Sequence, residues 1–212
     1  MEINEPLVQL LSITPNSEKL IEEAGRTCYL SLDKIAEGTE RNFIKNCIKR
    51  GHFSILEHSS ATFRILGGSR AFTHQIVRHR IGVGISQQSQ RFIDENNFNF
   101  IVPPKIANNP QAYNIFCKFI LLAQTTYTQL REFGISKEDA RFVLPNALES
   151  QMVFTANFRE FRHIFSLRLH KTAQWEIRRI CYKMLEILQE HAPAVFDDFQ
   201  KDKNNFTATS VS

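Results

Sequence analysis

Arg78-His79-Arg80, followed after eight residues by Ser89-Gln90-Arg91-Phe92, is the stretch on which the reading of this 212-residue chain turns. It gathers guanidinium, imidazole and hydroxyl groups into a short span. Arginine presents a planar fork of donors that matches two phosphate oxygens at once, whereas lysine offers only a point charge. Outward from it, the segment between His58 and Ile93 holds five arginines, Arg64, Arg70, Arg78, Arg80 and Arg91, and no Asp, Glu or Lys. A solvated helix face mixes both signs, so a one-sign cluster calls for an anion, and that anion is expected to be a ligand.

Composition bounds the rest. The 26 Lys and Arg against 22 Asp and Glu leave a formal net charge of +4, too mild for a protein that coats nucleic acid; a small anionic substrate suffices. A chain of this length buries about 70% of the surface it exposes when unfolded, so a substantial core is available. Cys28, Cys47, Cys117 and Cys181 are scattered without a C-x-x-C pair, which points to reduced thiols and a cytoplasmic setting. The opening Met1-Glu2-Ile3-Asn4-Glu5-Pro6 is acidic and broken by proline, unlike a signal peptide, and no apolar run approaches membrane-spanning length.

Periodicity predicts a strand over 7–13, a helix over 17–29 capped by Asn16 or Ser17, and a helix over 40–50 capped by Thr39 and stopped by Gly51. A strand over 61–66 is expected to break at Gly67-Gly68. Ser69 then caps a helix running toward His79, which would place Gln75 and Arg78 on one face. Residues 90–102 read as irregular, 111–133 as a long helix ended by Gly134, and 137–143 as a short helix capped by Ser136. A strand over 151–157 precedes helices over 158–169 and 172–190. Residues 1–200 form one expected α/β or α+β domain, and 201–212 an expected disordered tail.

Motif scans narrow the chemistry. Gly82-Val83-Gly84 starts like a dinucleotide loop, but Gln87 stands at the third glycine position and no strand is expected before it. No Walker A sequence is present, and His52 and His58 lack a third well-placed ligand, so no metal is expected. Packing is the better reading for all four cysteines. An RNA-binding module would interleave aromatics with the basic cluster, yet no Phe, Tyr or Trp lies between Arg78 and Arg91.

The run Arg78-His79-Arg80…Ser89-Gln90-Arg91-Phe92 resembles the signature of the flavin-dependent thymidylate synthases, the ThyX family. Further blocks follow in that family's order: Gly51-His52-Phe53-Ser54-Ile55-Leu56-Glu57-His58, Ser69-Arg70-Ala71-Phe72-Thr73-His74-Gln75, Ala140-Arg141-Phe142-Val143-Leu144-Pro145, Asn157-Phe158-Arg159, Leu167-Arg168 and Ala173-Gln174-Trp175-Glu176-Ile177-Arg178. Several ordered blocks are far less probable by chance than one short motif. The resemblance implies an α+β fold with a central antiparallel sheet flanked by helices. It also implies methylation of deoxyuridylate (dUMP) at C5 with methylenetetrahydrofolate, FAD carrying hydride from NADPH, in a homotetramer with sites shared between subunits. No nucleic acid or membrane partner is expected. The resemblance implies a flavin that does not sit on a Rossmann glycine loop, so the missing third glycine does not count against this cofactor.

By the same resemblance, Gln75, Arg78, Gln87, Ser89, Gln90, Arg91 and Arg141 contact dUMP. Arg168 lies against the uracil ring, where a guanidinium stabilises charge developing at N3/O4; it is the expected catalytic residue. His52, Ser54, Arg78, His79, Arg80, Gln87, Asn157, Arg159 and His163 match positions that bind FAD. Arg159 and His163 are four apart, hence on one helix face. Where many relatives carry Asn-Glu before the serine, this chain has Ser86-Gln87; an amide both donates and accepts where a carboxylate only accepts. Ser89 has no base adjacent in sequence, so binding is preferred to nucleophilic attack. A flavin- and nucleotide-binding relative without synthase activity is the competing outcome.

Overall fold

The computed structural model describes residues 1–3 and 5–211. In chain order the strands are β1 Glu2–Ile3, β2 Leu7–Ile13, β3 Ser60–Ser69, β4 Val83–Gln87, β5 Phe100–Ile101, β6 Glu149–Asn157, β7 Phe199–Asp202 and β8 Thr207–Ser210. The helices are α1 Ser17–Thr27, α2 Thr39–Lys49, α3 Arg70–Ile76, α4 Pro104–Ala107, α5 Pro110–Glu132, α6 Lys137–Ala140, α7 Phe158–Arg168, α8 Trp175–His191 and α9 Pro193–Phe196. Four strands form an antiparallel sheet in the order β2-β3-β6-β4, flanked by helices, so the expected α+β class holds. Short pairs β1-β5, parallel, and β7-β8, antiparallel, complete the strands. No described helix is long and apolar enough to cross a membrane.

Two compact units share the chain. One comprises Met1–Leu7, Ile65–Gln75 and Ser86–Met152; the other comprises Val8–Arg64, Ile76–Ile85 and Val153–Ser212. In the first, Phe98, Ile120 and Leu148 form a small core under Phe100, Phe116 and Leu144. In the second, the period-2 burial of β3 and β6 sends Phe63 and Phe154 inward, and the Thr62 and Thr155 hydroxyls bond at 2.9 Å. Those two rings meet Phe161 of α7 edge-on at 5.6 and 6.0 Å, and the chain of rings continues through Phe165 to Phe196 of α9 at 5.9 Å a step. All five rings are fully buried, and each such burial contributes about 1.5–3 kcal/mol.

Several expectations need correction. Strand β3 runs on through Gly67-Gly68 to Ser69. Gly67, at φ +73°, is there because a Cβ would stand 2.9 Å from Ile3 Cγ2 and 3.3 Å from the Glu5 carbonyl, so the glycine marks a close approach within the strand. Ser69 does cap α3, its Oγ accepting from Phe72 N at 3.0 Å, but the helix ends at Ile76 and Arg78 lies beyond it, so Gln75 and Arg78 share no helix face. Gly38, at φ +80°, holds the N-cap position of α2; Thr39 is the helix's first residue, and its hydroxyl closes the preceding loop on Ala36 instead. Asn16 precedes α1 in a left-handed conformation with no side-chain cap bond. Strand β4 is unexpected: Val83 and Ile85 alternate with Gly84 and Ser86, but only over five residues that include a glycine, and Ile85 is exposed.

The expected disordered tail is a hairpin. Phe199 pairs with Ser210 and Asp202 with Thr207, and Phe199 and Ala208 are buried. Buried Arg162 holds its base through both Asp198 carboxylate oxygens, at 2.6 and 2.8 Å. Phe161 lies between the sheet rings and Phe165, so Phe161→Ala should lower stability by about 3–5 kcal/mol in chemical denaturation. A loss below about 1 kcal/mol would show that this cluster is not the core of its unit.

Candidate functional site

Helix α7 presents two faces. Asn157 caps it, Oδ1 accepting from Glu160 N at 2.8 Å, and Phe158, Phe161 and Phe165 turn inward. On the opposite face Arg159, His163 and Ser166 follow at helical spacing and line a cavity of about 660 Å³ together with Phe53, Glu57, Ile81, Asn157 and Phe199. His52 and Ser54 flank Phe53 in the chain and are exposed. Arg159 Nη1 meets Glu57 Oε1 at 2.5 Å, with both side chains about half exposed, so the pair contributes about 1 kcal/mol at most and a stronger anion can displace it. Arg78 and Arg80 are exposed and have no ion-pair partner among the described residues. Gly82, at φ +64°, keeps clear the space where a Cβ would stand 2.2 Å from Asn157 Nδ2.

Beside this cavity, His79 is buried and both its ring nitrogens are engaged. Arg168 Nε donates to His79 Nε2 at 3.0 Å, and His79 Nδ1 meets Glu160 Oε1 at 3.0 Å. A guanidinium N–H needs a lone pair to donate to, so Nε2 is unprotonated and Nδ1 carries the proton toward Glu160. The electrostatics agree: burial pushes the His79 pKa below the ordinary histidine value, the Arg168 and His163 charges push the same way, and Glu160 opposes them. The ligand atoms of His79, Glu160 and His163 lie within 4.8 Å of one another, a spacing that a metal ion accepts. A metal on Nδ1, however, would move the imidazole proton to Nε2, where it would face the Arg168 N–H. Glu160, His79 and Arg168 form a hydrogen-bond relay, and His163 only packs against the His79 ring, so the cluster fits a relay better than a ligand set.

In the other unit, Gln87 donates to Thr73 Oγ1 at 3.2 Å and to Ser150 Oγ at 3.0 Å. Ser89 Oγ accepts from Arg91 N at 3.3 Å, and Gln90 is buried. Glu138 joins two expected ligand arginines, its carboxylate accepting from Arg91 Nε at 2.8 Å and its carbonyl from Arg141 Nε at 3.0 Å. Gln75 Nε2 bonds back to Ala71 O of its own helix. The structure thus groups Glu160, His163 and Arg168 around His79, lines one cavity with Asn157, Arg159 and His163, and links Arg91 to Arg141 through Glu138. Glu160, Glu138, Thr73 and Ser150 were not among the expected site residues. The spacing Asn157-x-x-Glu160 resembles a capping box, a signal that could have singled out Glu160. Cys181 is fully buried, and that burial pushes its thiol up to about 12, which rules it out as a nucleophile at neutral pH.

Behind Ser89 to Arg91 the loop is tied down by Glu95. Its Oε1 accepts from Gln88 Nε2 at 3.2 Å, and its backbone N–H donates to the Tyr127 hydroxyl at 3.4 Å. Burial, helped by Asp94 and Glu149, pushes the Glu95 carboxyl up to about 7 against the Gln88 hydrogen bond and Arg70. A raised folded-state pKa favours the protonated fold: the stability it contributes is full below the unfolded value of 4.5 and is lost as pH rises through about 7. Glu95→Gln keeps an acceptor for Gln88 without the buried charge. Its melting temperature should therefore exceed the unsubstituted chain's at pH 8, with the gap closing toward pH 5; the opposite order at pH 8 would contradict this assignment.

A family model described as Thy1, thymidylate synthase complementing protein, matches residues 9–194. A Corynebacterium diphtheriae protein named flavin-dependent thymidylate synthase is 38% identical over 206 residues, covering 89% of this chain and 81% of that protein. A Geobacter sulfurreducens protein of the same name is 39% identical over 199 residues, covering 90% and 85%. The crystal structure of a UMP/dUMP methylase, PolB from Streptomyces cacaoi, bound with 5-Br dUMP, superposes with a TM-score of 0.84 over 92% of this chain and 95% of that one. At 23% identity that likeness shows a shared fold. A family match spanning nearly the whole chain, with relatives this similar over most of both lengths, places the chain in the thymidylate synthase complementing protein family, Thy1.

Proposed function

We propose that this chain is a flavin-dependent thymidylate synthase, which methylates dUMP at C5 to give thymidylate, with methylenetetrahydrofolate and NADPH as co-substrates and FAD as cofactor. The observation that carries the reading is the guanidinium of Arg168, half-buried at the end of α7 and held by a neutral His79. A fixed cation in a partly dehydrated site is what activation of a uracil ring without a thiol requires.

The cavity beside α7 fits a flavin. Phe53, Ile81 and Phe199 offer apolar surface to a flat ring system, and Asn157, Arg159 and His163 offer polar groups to its edge. Arg78 and Arg80 are cations without acidic partners, suited to a pyrophosphate. With His52, Ser54, His79 and Gln87 these residues would hold FAD, which when bound supplies hydride transfer. The chain's own groups do the rest. Arg168 stabilises negative charge developing at N3/O4 of uracil, which makes the ring carbons reactive. Gln75, Arg78, Gln87, Ser89, Gln90, Arg91 and Arg141 bind the nucleotide. The Arg91–Glu138 pair is exposed on both sides, so a phosphate dianion can replace the carboxylate at little cost. Ser89 has a binding role, its hydroxyl engaged by the Arg91 amide.

Helix α5 leaves Ile115, Phe119, Leu121 and Leu122 exposed, apolar surface that a homotetramer would cover. The four described cysteines are free thiols, as a cytoplasmic protein keeps them. Arg168→Ala should lower kcat for dUMP methylation with NADPH and methylenetetrahydrofolate by about 10²- to 10³-fold while the circular dichroism melt stays near the unsubstituted value. Unchanged turnover would remove Arg168 from the catalytic role.

A further inference from the structure

Glu160 is the acidic group behind the reactive arginine. It is buried on α7, and its Oε1 lies 3.0 Å from His79 Nδ1 while its backbone N–H is taken by the Asn157 cap. Across the same imidazole, Arg168 Nε donates to Nε2 at 3.0 Å. A neutral imidazole carries one proton and one lone pair, so what one nitrogen meets decides what the other can do. If Glu160 did not accept from Nδ1–H, the proton could move to Nε2, turn a donor toward the Arg168 N–H, and push the guanidinium off its direction.

We infer that Glu160 is a positioning residue for the proposed synthase reaction: it fixes His79 in the Nδ1–H tautomer, so that the Nε2 lone pair orients the guanidinium of Arg168. The inference rests on the catalytic role proposed for Arg168. It deepens that reading by making the arginine's direction depend on a carboxylate on the far side of the imidazole. Three features of the surroundings support it. His79 and Glu160 are both buried, so water does not compete for either nitrogen. His163 packs against the His79 ring edge-on, centroids 5.7 Å apart, and limits its rotation. Glu160 and Arg168 both sit on α7, whose inward face the Phe158, Phe161 and Phe165 rings hold, so the two ends of the relay are fixed to one rigid element.

The chemistry separates the substitutions. Glu160→Gln can still accept from Nδ1–H through its amide oxygen, and Arg168 selects that rotamer because the alternative would set two donors face to face. Glu160→Ala leaves Nδ1 without its acceptor. Misdirection of a catalytic group by about 1 Å costs on the order of 10²-fold in rate. The test combines kinetics with the imidazole nitrogen spectrum of ¹⁵N-histidine-labelled protein, the His79 signals being assigned by their loss in His79→Gln. In the unsubstituted protein at neutral pH, Nδ1 should show the shift of a protonated nitrogen and Nε2 that of an unprotonated one. Glu160→Ala should lose that pattern and lower kcat by about 10- to 100-fold with little change in the KM for dUMP. Glu160→Gln should keep the pattern and stay within several-fold of the original kcat. An Nε2–H signal in the unsubstituted protein would overturn the inference, as would an unchanged kcat in Glu160→Ala or an equal loss in both variants. If the unsubstituted protein methylates no dUMP, the proposed function fails while the nitrogen spectrum still decides the relay.

Discussion

A single imidazole with one proton and one lone pair sets the constraint on which the site depends. His79 gives its proton to Glu160 and its lone pair to Arg168, and it is buried enough that neither assignment is shared with water. This differs from an ion-paired histidine. A protonated ring would satisfy Glu160 but leave Arg168 facing a like charge, and burial penalises that charge as well. The neutral ring therefore serves as a rigid spacer that carries direction from a carboxylate to a guanidinium.

That spacer is useful only if α7 stays in place, and the ring cluster of the second unit keeps it there. Phe158, Phe161 and Phe165 occupy the face of α7 opposite Arg159, His163 and Ser166, so one helix is both core element and cavity wall. Core packing at close to crystal density transmits displacement rather than absorbing it. The C-terminal hairpin adds to the same wall: Phe199 and Ser210 line the cavity, and Arg162 ties the hairpin's base through Asp198. The tail thus helps to shape the site.

Much of this is legible in the sequence, and the gaps have physical causes. Strand β2, helices α5, α7 and α8, and the caps by Ser69 and Ser136 follow from periodicity and cap chemistry, which are local. Strand β4 does not, because the alternation of Val83 and Ile85 is too short and too glycine-broken to stand out, and the strand is held by pairing with β6, distant in sequence. The hairpin at 199–210 escapes notice because Phe199 and Ala208 are too few and too far apart to make a pattern. Family blocks single out Arg168, His79 and Arg159, but Glu160 stands outside the quoted motifs. Its importance comes from a contact 81 positions along the chain. Gln87 illustrates the reverse: a departure from the common glutamate whose amide finds two hydroxyls, Thr73 and Ser150, that accept from it.

The one-sign arginine cluster of the sequence resolves into different environments. Burial, and then the nearby Arg141 charge, lowers the Arg70 pKa, whereas Arg78 and Arg80 stand in solvent and Arg91 leans on an exposed glutamate. Positive charge at Arg78 and Arg80 is not matched by an acidic side chain among the described residues. The most direct measurement of the central claim is release of tritium from C5-labelled dUMP by the purified protein with FAD, NADPH and methylenetetrahydrofolate. The account predicts release matched by formation of thymidylate and abolished by omitting NADPH. Protein that is folded and flavin-loaded yet releases no tritium would contradict it.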